Sequence, residues 1–310
     1  MMILIETMCN QDFGALIFSD DFSSNTVDQS KWSQIIMSEP YNNELQYYTD
    51  SNVNAFIQDG VLHVKAIKEN IGTKAYSSAK LTTENTKLFR YGKFEMEAKL
   101  PVGLGTWPAF WLFSPDTTYS EIDIMEAVGA VPNEIWFNVH ANMMSQNIDN
   151  QKVYKYEHHK AGVNVSDIAS SFHTYSVEWT PIFIKGFVDG LQYFELNRED
   201  LPAKYWHFDQ EMYVIVNLAV GGDWGGMNGI CLTCFPQEML VKSVKVYEYT
   251  GTYTVNTGLR TSDKIVIGVV VSLVLVAVIV CAWFLIKRKL RRSSPSQVQT
   301  KVVLAQSQKQ

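Results

Sequence analysis

Ser120-Glu121-Ile122-Asp123-Ile124-Met125-Glu126-Ala127-Val128-Gly129 sets three carboxylates among apolar residues. Glu121 and Asp123 stand two apart, so a strand carrying them shows both on one face. Glu126 is five from Glu121, and strict alternation sends it to the opposite face. One extra residue, a β-bulge, restores the parity and gathers the three acids on one side. The spacing E-x-D-x-x-E is therefore odd for a plain strand and suited to a strand bulged at a site. The alternative reading is a solvated strand face that happens to be acidic.

Glycoside cleavage is the chemistry that needs two carboxylates on one surface. In its retaining form one carboxylate attacks the sugar and the other protonates the leaving oxygen, with the two about 5–5.5 Å apart. Even with the bulge, the α-carbons of Glu121 and Glu126 would lie roughly 13 Å apart at ~3.3 Å per residue. Their side chains must then lean together over a concave face, with Asp123 between them. Three crowded acids do not all ionise cheaply, so at least one is expected to keep its proton above the usual range. That divides the roles between an ionised nucleophile and a protonated acid.

Around this stretch, from about Leu16 to Thr250, the chain reads as many short strands. Phe56 to Val64 is expected as a hairpin turning at Asp59-Gly60, and Ile184 to Phe194 as another turning at Asp189-Gly190. Further β-rich runs are Tyr76–Thr83, Phe89–Lys99, Trp107–Phe113, Ser120–Glu126, Ile135–His140, Thr174–Trp179, Met212–Leu218 and Leu240–Tyr249. Helical periodicity is scarce, with one short helix expected over Arg198–Trp206. Regularly spaced strands of this kind indicate an all-β sandwich or barrel in one domain.

Seven of the 26 Lys and Arg residues follow Ile286, where there is no acid, so the rest of the chain sets 19 bases against 32 acids. An acidic body argues against nucleic-acid binding and leaves a neutral polysaccharide open. The eight Trp and fifteen Tyr are many for this length; flat aromatics stack on sugar faces and are also ordinary core residues. Cys231 and Cys234 form C-x-x-C in a Gly-rich loop, read either as a loop-closing disulfide or as two free thiols. No second ligand pair completes a zinc site.

The ends of the chain read differently from its middle. Residues 1–15 lack the basic start and unbroken apolar run of a secretory signal, and a truncated N-terminus is one explanation. Residues 251–264 read as a polar stalk. Residues 265–286 follow, 22 residues without a charge, a helix of about 33 Å that suffices for a bilayer core. Five basic residues stand in the six positions after it, which places residues 287–310 in the cytoplasm and the β domain outside. A tail-anchored arrangement with a cytosolic β domain would suit the missing signal but puts the basic cluster on the wrong side.

Several segments, in order, resemble family 16 glycoside hydrolases of the laminarinase-like branch. They are Asn42-Asn43-Glu44-Leu45-Gln46-Tyr47-Tyr48-Thr49, Tyr91-Gly92-Lys93-Phe94-Glu95, Gly105-Thr106-Trp107-Pro108-Ala109-Phe110-Trp111-Leu112, Ser120–Glu126, Phe172–Pro181 and Asn217–Gly226 with Phe235-Pro236-Gln237. The resemblance implies a jelly-roll (concanavalin A-like) β-sandwich with an open cleft on one concave face, and a retaining endo-β-glucanase. Glu121 then corresponds to the nucleophile, Glu126 to the acid/base, and Asp123 to the residue that holds and tunes Glu121. Trp107, Trp111 and Trp224 are expected as sugar platforms, and His140 and Asn43 as substrate ligands. His173, Glu178 and Trp179 are read as structural.

The sequence also departs from the family pattern. Lys93 stands where Arg is usual and Glu97 where a cation is usual, which is expected to bear on linkage preference. Lys242 occupies the place of an Asp that holds calcium in many relatives, so no calcium is expected there, and the reaction needs no metal or organic cofactor. The expected substrate is a β-1,3- or mixed β-1,3/1,4-glucan, with a lipid bilayer engaged through residues 265–286. Two alternatives stand beside hydrolysis: transglycosylation of the same glucans, and a glucan-recognition module. Recognition modules of this family lose the catalytic acids, and this chain keeps both glutamates. A purely structural adhesion domain on a stalk would leave the acids unexplained.

Overall fold

Residues 92–99 show how the elements form. Phe94, Met96 and Ala98 are fully buried while Lys93, Glu95, Glu97 and Lys99 alternate with them on the outer face, the period of a half-covered strand. The computed structural model, which describes residues 12–252 apart from 117–118, 149–150 and 202, forms seventeen strands among the described residues, and the same alternation recurs at Val61–Ala66 and Phe183–Val188. The first seven are β1 (Phe13–Asp20), β2 (Ser33–Gln34), β3 (Gln46–Tyr48), β4 (Ala55–Gln58), β5 (Val61–Ala66), β6 (Tyr76–Ser78) and β7 (Lys80–Thr82). The middle five are β8 (Gly92–Lys99), β9 (Thr106–Phe113), β10 (Ser120–Glu126), β11 (Glu134–Ile148) and β12 (Gln151–Asn164). The last five are β13 (His173–Trp179), β14 (Phe183–Val188), β15 (Leu191–Asn197), β16 (Tyr213–Val220) and β17 (Gln237–Tyr249).

Fifteen of them build two antiparallel sheets, and β3 and β6 pair separately in parallel. The first runs β15-β14-β13-β8-β17-β5-β4, with β1 also paired to β17; the second runs β12-β11-β10-β9-β16-β7-β2. Neighbours far apart in sequence, such as β8 with β17 and β9 with β16, are the long crossovers of a jelly-roll sandwich. Between the layers lie Phe94, Met96, Val177, Val244 and Val246 from one sheet and Phe110, Leu112, Ile122, Phe137, Val139 and Val216 from the other. The other face of the seven-stranded sheet carries the polar and aromatic residues of the site.

Both expected hairpins form, and Asp59-Gly60 and Asp189-Gly190 all have positive φ, as such two-residue turns require. Trp179 is fully buried with its Nε1 donating to the Phe208 carbonyl at 2.9 Å, and His173 sits between Asp167 and Asp189 at 3.2 and 2.7 Å. Those two residues and the buried Glu178 lie on β13, in the sheet without the acids. Cys231 and Cys234 are disulfide-bonded, which decides between the two readings of that loop.

Some expectations are corrected. The β body begins at Phe13 rather than after residue 15, because β1 pairs with β17 from Phe13–Tyr249 onward. The run Tyr76–Thr83 breaks at Ala79 into β6, paired with β3, and β7, paired with β16. Arg198–Trp206 holds two 3-10 turns, Arg198–Asp200 and Ala203–Tyr205, in place of one helix. Lys93 and Glu97 lie on the eight-stranded sheet, away from the acids, and bind Glu95 and Lys242 at 2.8 and 2.9 Å. Among the described residues no helix is long and apolar enough to cross a membrane; the expected span 265–286 and tail 287–310 lie outside them.

Candidate active site

The bulge lies where the acid spacing demands it. On one side of β10, Asp123 pairs with Trp111 and Met125 with Phe110; on the other, Asp123 pairs with Asn138 and Glu126 with Trp136. Both ladders lose one residue of register between Asp123 and Glu126, so Ile124 and Met125 both bury in the core and Glu126 returns to the face of Glu121. Pro108 fits the same irregularity. Its carbonyl accepts from Ala127 N–H just past the bulge, so its missing donor faces β10 where the ladder is already interrupted.

The three acids share a tight set of partners. Tyr119 donates its hydroxyl to Glu121 Oε2 at 2.6 Å. His140 Nε2 lies 3.1 Å from Asp123 Oδ2 and 3.8 Å from Glu121 Oε1. Glu126 accepts from Trp107 Nε1 at 2.9 Å and also from the Asn138 amide. Burial, and then the charge of Glu121, push the Asp123 carboxyl well above the usual carboxylate range. Burial, and then Asp123, do the same to Glu126, against the opposing pull of the Trp107 N–H. A proton is therefore held on this cluster at pH values where an exposed carboxyl has lost its own. Glu121, Asp123 and His140 also offer ligand atoms within 4.8 Å of one another, a donor set that a small divalent cation could use.

Beyond β10 the floor continues across β9, β16 and β7. Trp107 and Trp111 share a face, as their spacing requires, with the small Ala109 between them and opposite Glu126. Trp111 Nε1 donates to Asn217 Oδ1 at 2.7 Å, Asn217 Nδ2 to the Tyr48 hydroxyl at 3.1 Å, and that hydroxyl to Glu44 Oε2 at 3.2 Å. Gln46 also donates to Glu44, at 2.6 Å. Burial raises the Glu44 carboxyl above its usual value, opposed by its bonds from Gln46 and Tyr48. Lys80 Nζ stands 4.9 Å from the Trp111 ring centre; burial lowers its pKa while Glu44 and Glu121 pull it back up.

Trp224 closes one edge. It lies on the short helix α1 (Gly222–Gly225) and meets Trp107 and Trp136 edge-on at 5.5 and 6.1 Å. Asn43 holds that helix: its Nδ2 donates to Asp223 Oδ1 at 2.8 Å, and Asn42 O accepts from Asp223 N–H. Asn42 and Asn43 both have φ of 56°, a left-handed conformation that asparagine tolerates better than most residues. The structure thus brings Glu121, Asp123, Glu126, His140, Trp107, Trp111 and Trp224 to one face and sets Asn43 at its rim.

Several site residues were not singled out from the sequence: Tyr119, Asn138, Glu44, Gln46, Tyr48, Lys80, Trp136 and Asn217. For some a signal exists. Glu44, Gln46 and Tyr48 alternate through one strand's face, and Asn217 is the single polar side chain between Val214 and Val220. Tyr119 reaches Glu121 from a loop, where periodicity says nothing.

The family profile "Glycosyl hydrolases family 16" matches residues 42–235, a span that holds the acid strand, both tryptophans of β9 and the helix of Trp224. The chain belongs to glycosyl hydrolase family 16. This family 16 glycosidase is 36% identical over 250 residues to a beta-glucanase of Rhodothermus marinus, covering 76% of this chain and 85% of that one. It is 32% identical over 266 residues to glucan endo-1,3-beta-glucosidase A1 of Niallia circulans, of which it spans 38% while 75% of its own length is covered. The crystal structure of the laminarinase from Rhodothermus marinus superposes with a TM-score of 0.69 at 35% identity, covering 76% of this chain and 98% of that one.

Proposed function

We propose that this family 16 enzyme is a retaining endo-β-glucanase acting on β-1,3- or mixed β-1,3/1,4-linked glucans. The observation that carries the reading is the bulge of β10, which sets Glu121, Asp123 and Glu126 on one face with a proton retained among them. In the first step Glu121 attacks the anomeric carbon as Glu126 gives its proton to the departing glycosidic oxygen. Asp123 stands beside Glu121, and its charge helps Glu126 keep the proton that it donates. In the second step Glu126, now ionised, takes a proton from water, and the hydroxide so formed releases the sugar from Glu121. Trp107 and Asn138 hold Glu126 in place for both transfers. The glucanase names of the relatives support the substrate class, and the endo-glucanase name of the Niallia circulans relative supports attack within a chain.

The test is a screen of the full-length protein in detergent on laminarin, lichenan, agarose and carrageenan, with product sizing and NMR of the anomer released first. Release of β-linked oligosaccharides of mixed length from laminarin or lichenan, first as the β-anomer, is expected. First release of the α-anomer would overturn the retaining step, and activity confined to agarose or carrageenan would overturn the substrate. EDTA is expected to leave the rate unchanged. Excess acceptor sugar separates hydrolysis from transglycosylation, since a transglycosylase would give products longer than its substrate.

We further infer that residues 265–286 anchor the enzyme in a bilayer with the β domain outside the cytoplasm. The uncharged run of 22 residues and the five bases after it support this.

A further inference from the structure

The strand of the acids starts from a fixed point. Ser120 is fully buried at the head of β10, where its Oγ donates to the His207 carbonyl at 2.6 Å and its own carbonyl accepts from Ser114 N–H at 3.1 Å. Tyr119, the residue before it, is therefore delivered from the loop between β9 and β10 to a set place beside Glu121. Its ring is held as well. Phe113 is the β9 partner of Glu121 and also pairs with Tyr213 of β16. Tyr119 meets the Phe113 ring edge-on at 5.3 Å, and Phe113 meets Trp111 and Tyr213 in the same way at 5.9 and 6.0 Å. Edge-to-face packing of this kind favours one orientation of a ring, and with it the line along which a phenol hydroxyl points.

That line ends on one oxygen of the nucleophile. The Tyr119 hydroxyl donates to Glu121 Oε2 at 2.6 Å, the length of a charge-assisted bond from a hydroxyl to a carboxylate. The other oxygen, Oε1, is turned toward His140, 3.8 Å from its Nε2. The two oxygens are thus told apart by their surroundings: Tyr119 takes Oε2, which assigns Oε1 to the bond with the sugar.

We propose that Tyr119 is a positioning residue of the reaction, which orients Glu121 and speeds release of the sugar from it more than the attack that puts it there. This rests on the retaining glucanase reading above. In the first step Glu121 Oε1 bonds to the anomeric carbon and negative charge leaves the carboxylate, so the Tyr119 bond weakens. In the second step water bonds to that carbon, Glu126 takes the water's proton, and the electron pair of the carbon–Oε1 bond returns to Glu121. Charge then grows on Oε2, where the Tyr119 hydroxyl already points. A donor aimed at developing charge lowers the barrier of the step that develops it.

The test compares the full-length wild type in detergent with Tyr119→Phe and Tyr119→Ala on dinitrophenyl β-laminaribioside. Its leaving group needs no proton, so sugar release limits kcat while kcat/KM reports the attack. Tyr119→Phe keeps the ring and its contact with Phe113. It is expected to lower kcat about tenfold and KM to match, with kcat/KM held within about threefold of wild type and a burst of dinitrophenol before the steady state. Tyr119→Ala loses the ring too and should lower kcat/KM as well. An unchanged kcat in Tyr119→Phe would overturn the proposal. So would a fall in kcat/KM as large as the fall in kcat, the mark of a merely structural role. A second measurement needs no turnover: with meta-fluorotyrosine at position 119, the fluorine NMR resonance should move when Glu121→Gln is introduced. A resonance that stays put would remove the bond on which the proposal stands. Should the wild type turn over no β-glucoside, the glucanase reading falls and takes the kinetic half of the proposal with it, while the resonance still decides whether Tyr119 orients Glu121.

Discussion

Glu126 is the residue on which chemistry and stability pull in opposite directions. Its carboxyl is buried beside Asp123 and holds its proton well above the usual range. Above the ordinary carboxylate pKa the unfolded chain loses that proton while the folded chain keeps it. The neutral acid's contribution to stability is therefore complete below the ordinary value and is lost as pH rises through the raised one. Glu126→Gln removes the ionisation and is expected to raise thermal stability at pH 7 by about 1–2 kcal/mol, measured by calorimetry, while hydrolysis falls by about a thousandfold or more. Glu126→Ala should recover turnover on aryl glucosides whose leaving groups need no proton; no recovery in a folded variant would remove Glu126 from the acid role. Asp123→Asn deletes a neighbouring charge that raises Glu126, so the alkaline limb of the kcat/KM profile should move to lower pH. Glu121→Gln should abolish turnover with the fold intact. The acid spacing made these three residues legible in the sequence. Tyr119 was not legible, because a loop residue meets its partner through the path of the chain rather than through any period.

At the scale of elements, the site depends on close approach between loops at the end of β10. Gly129, three residues past Glu126, has no room for a side chain: a Cβ there would lie 1.9 Å from the Gly103 carbonyl oxygen. Gly129→Ala must displace the loop before β9, and is expected to cost about 1–3 kcal/mol and to lower kcat/KM by moving Trp107. Thermal unfolding and kinetics of the one variant check both. Helix α1 is anchored by Asn43 and Asp223, so Asn43→Ala should raise KM with little change in kcat, through loss of the seat of Trp224. A fall in kcat alone would place Asn43 elsewhere in the reaction. The hairpins were readable because Asp-Gly turns impose their own backbone conformation. The break at Ala79 was not, since Tyr76–Thr83 is apolar enough for one strand and only the separate partners β3 and β16 divide it.

At the scale of the molecule, two departures from the family pattern answer each other. Glu97 and Lys242 come from strands paired in the same sheet and form an ion pair at 2.9 Å, an exchange of charge sign invisible in either segment alone. Anchoring is tested at this scale too: full-length protein should remain with membranes after a carbonate wash, and a chain ending at residue 252 should not. Release of the full-length form would discard the anchor. If the β domain lies outside, the sequon Asn164-Val165-Ser166 at the exposed end of β12 is open to glycosylation, read as an endoglycosidase shift. Local spacing by itself determined the β class, the bulge and the three acids, because strand parity is a property of consecutive residues. Which side chains meet them was decided only by folding. Asn138, Asn217, Tyr48 and Glu44 come from segments scattered over some 170 residues of chain, and hydrogen bonds between distant segments follow from sheet order and register, which no single segment encodes.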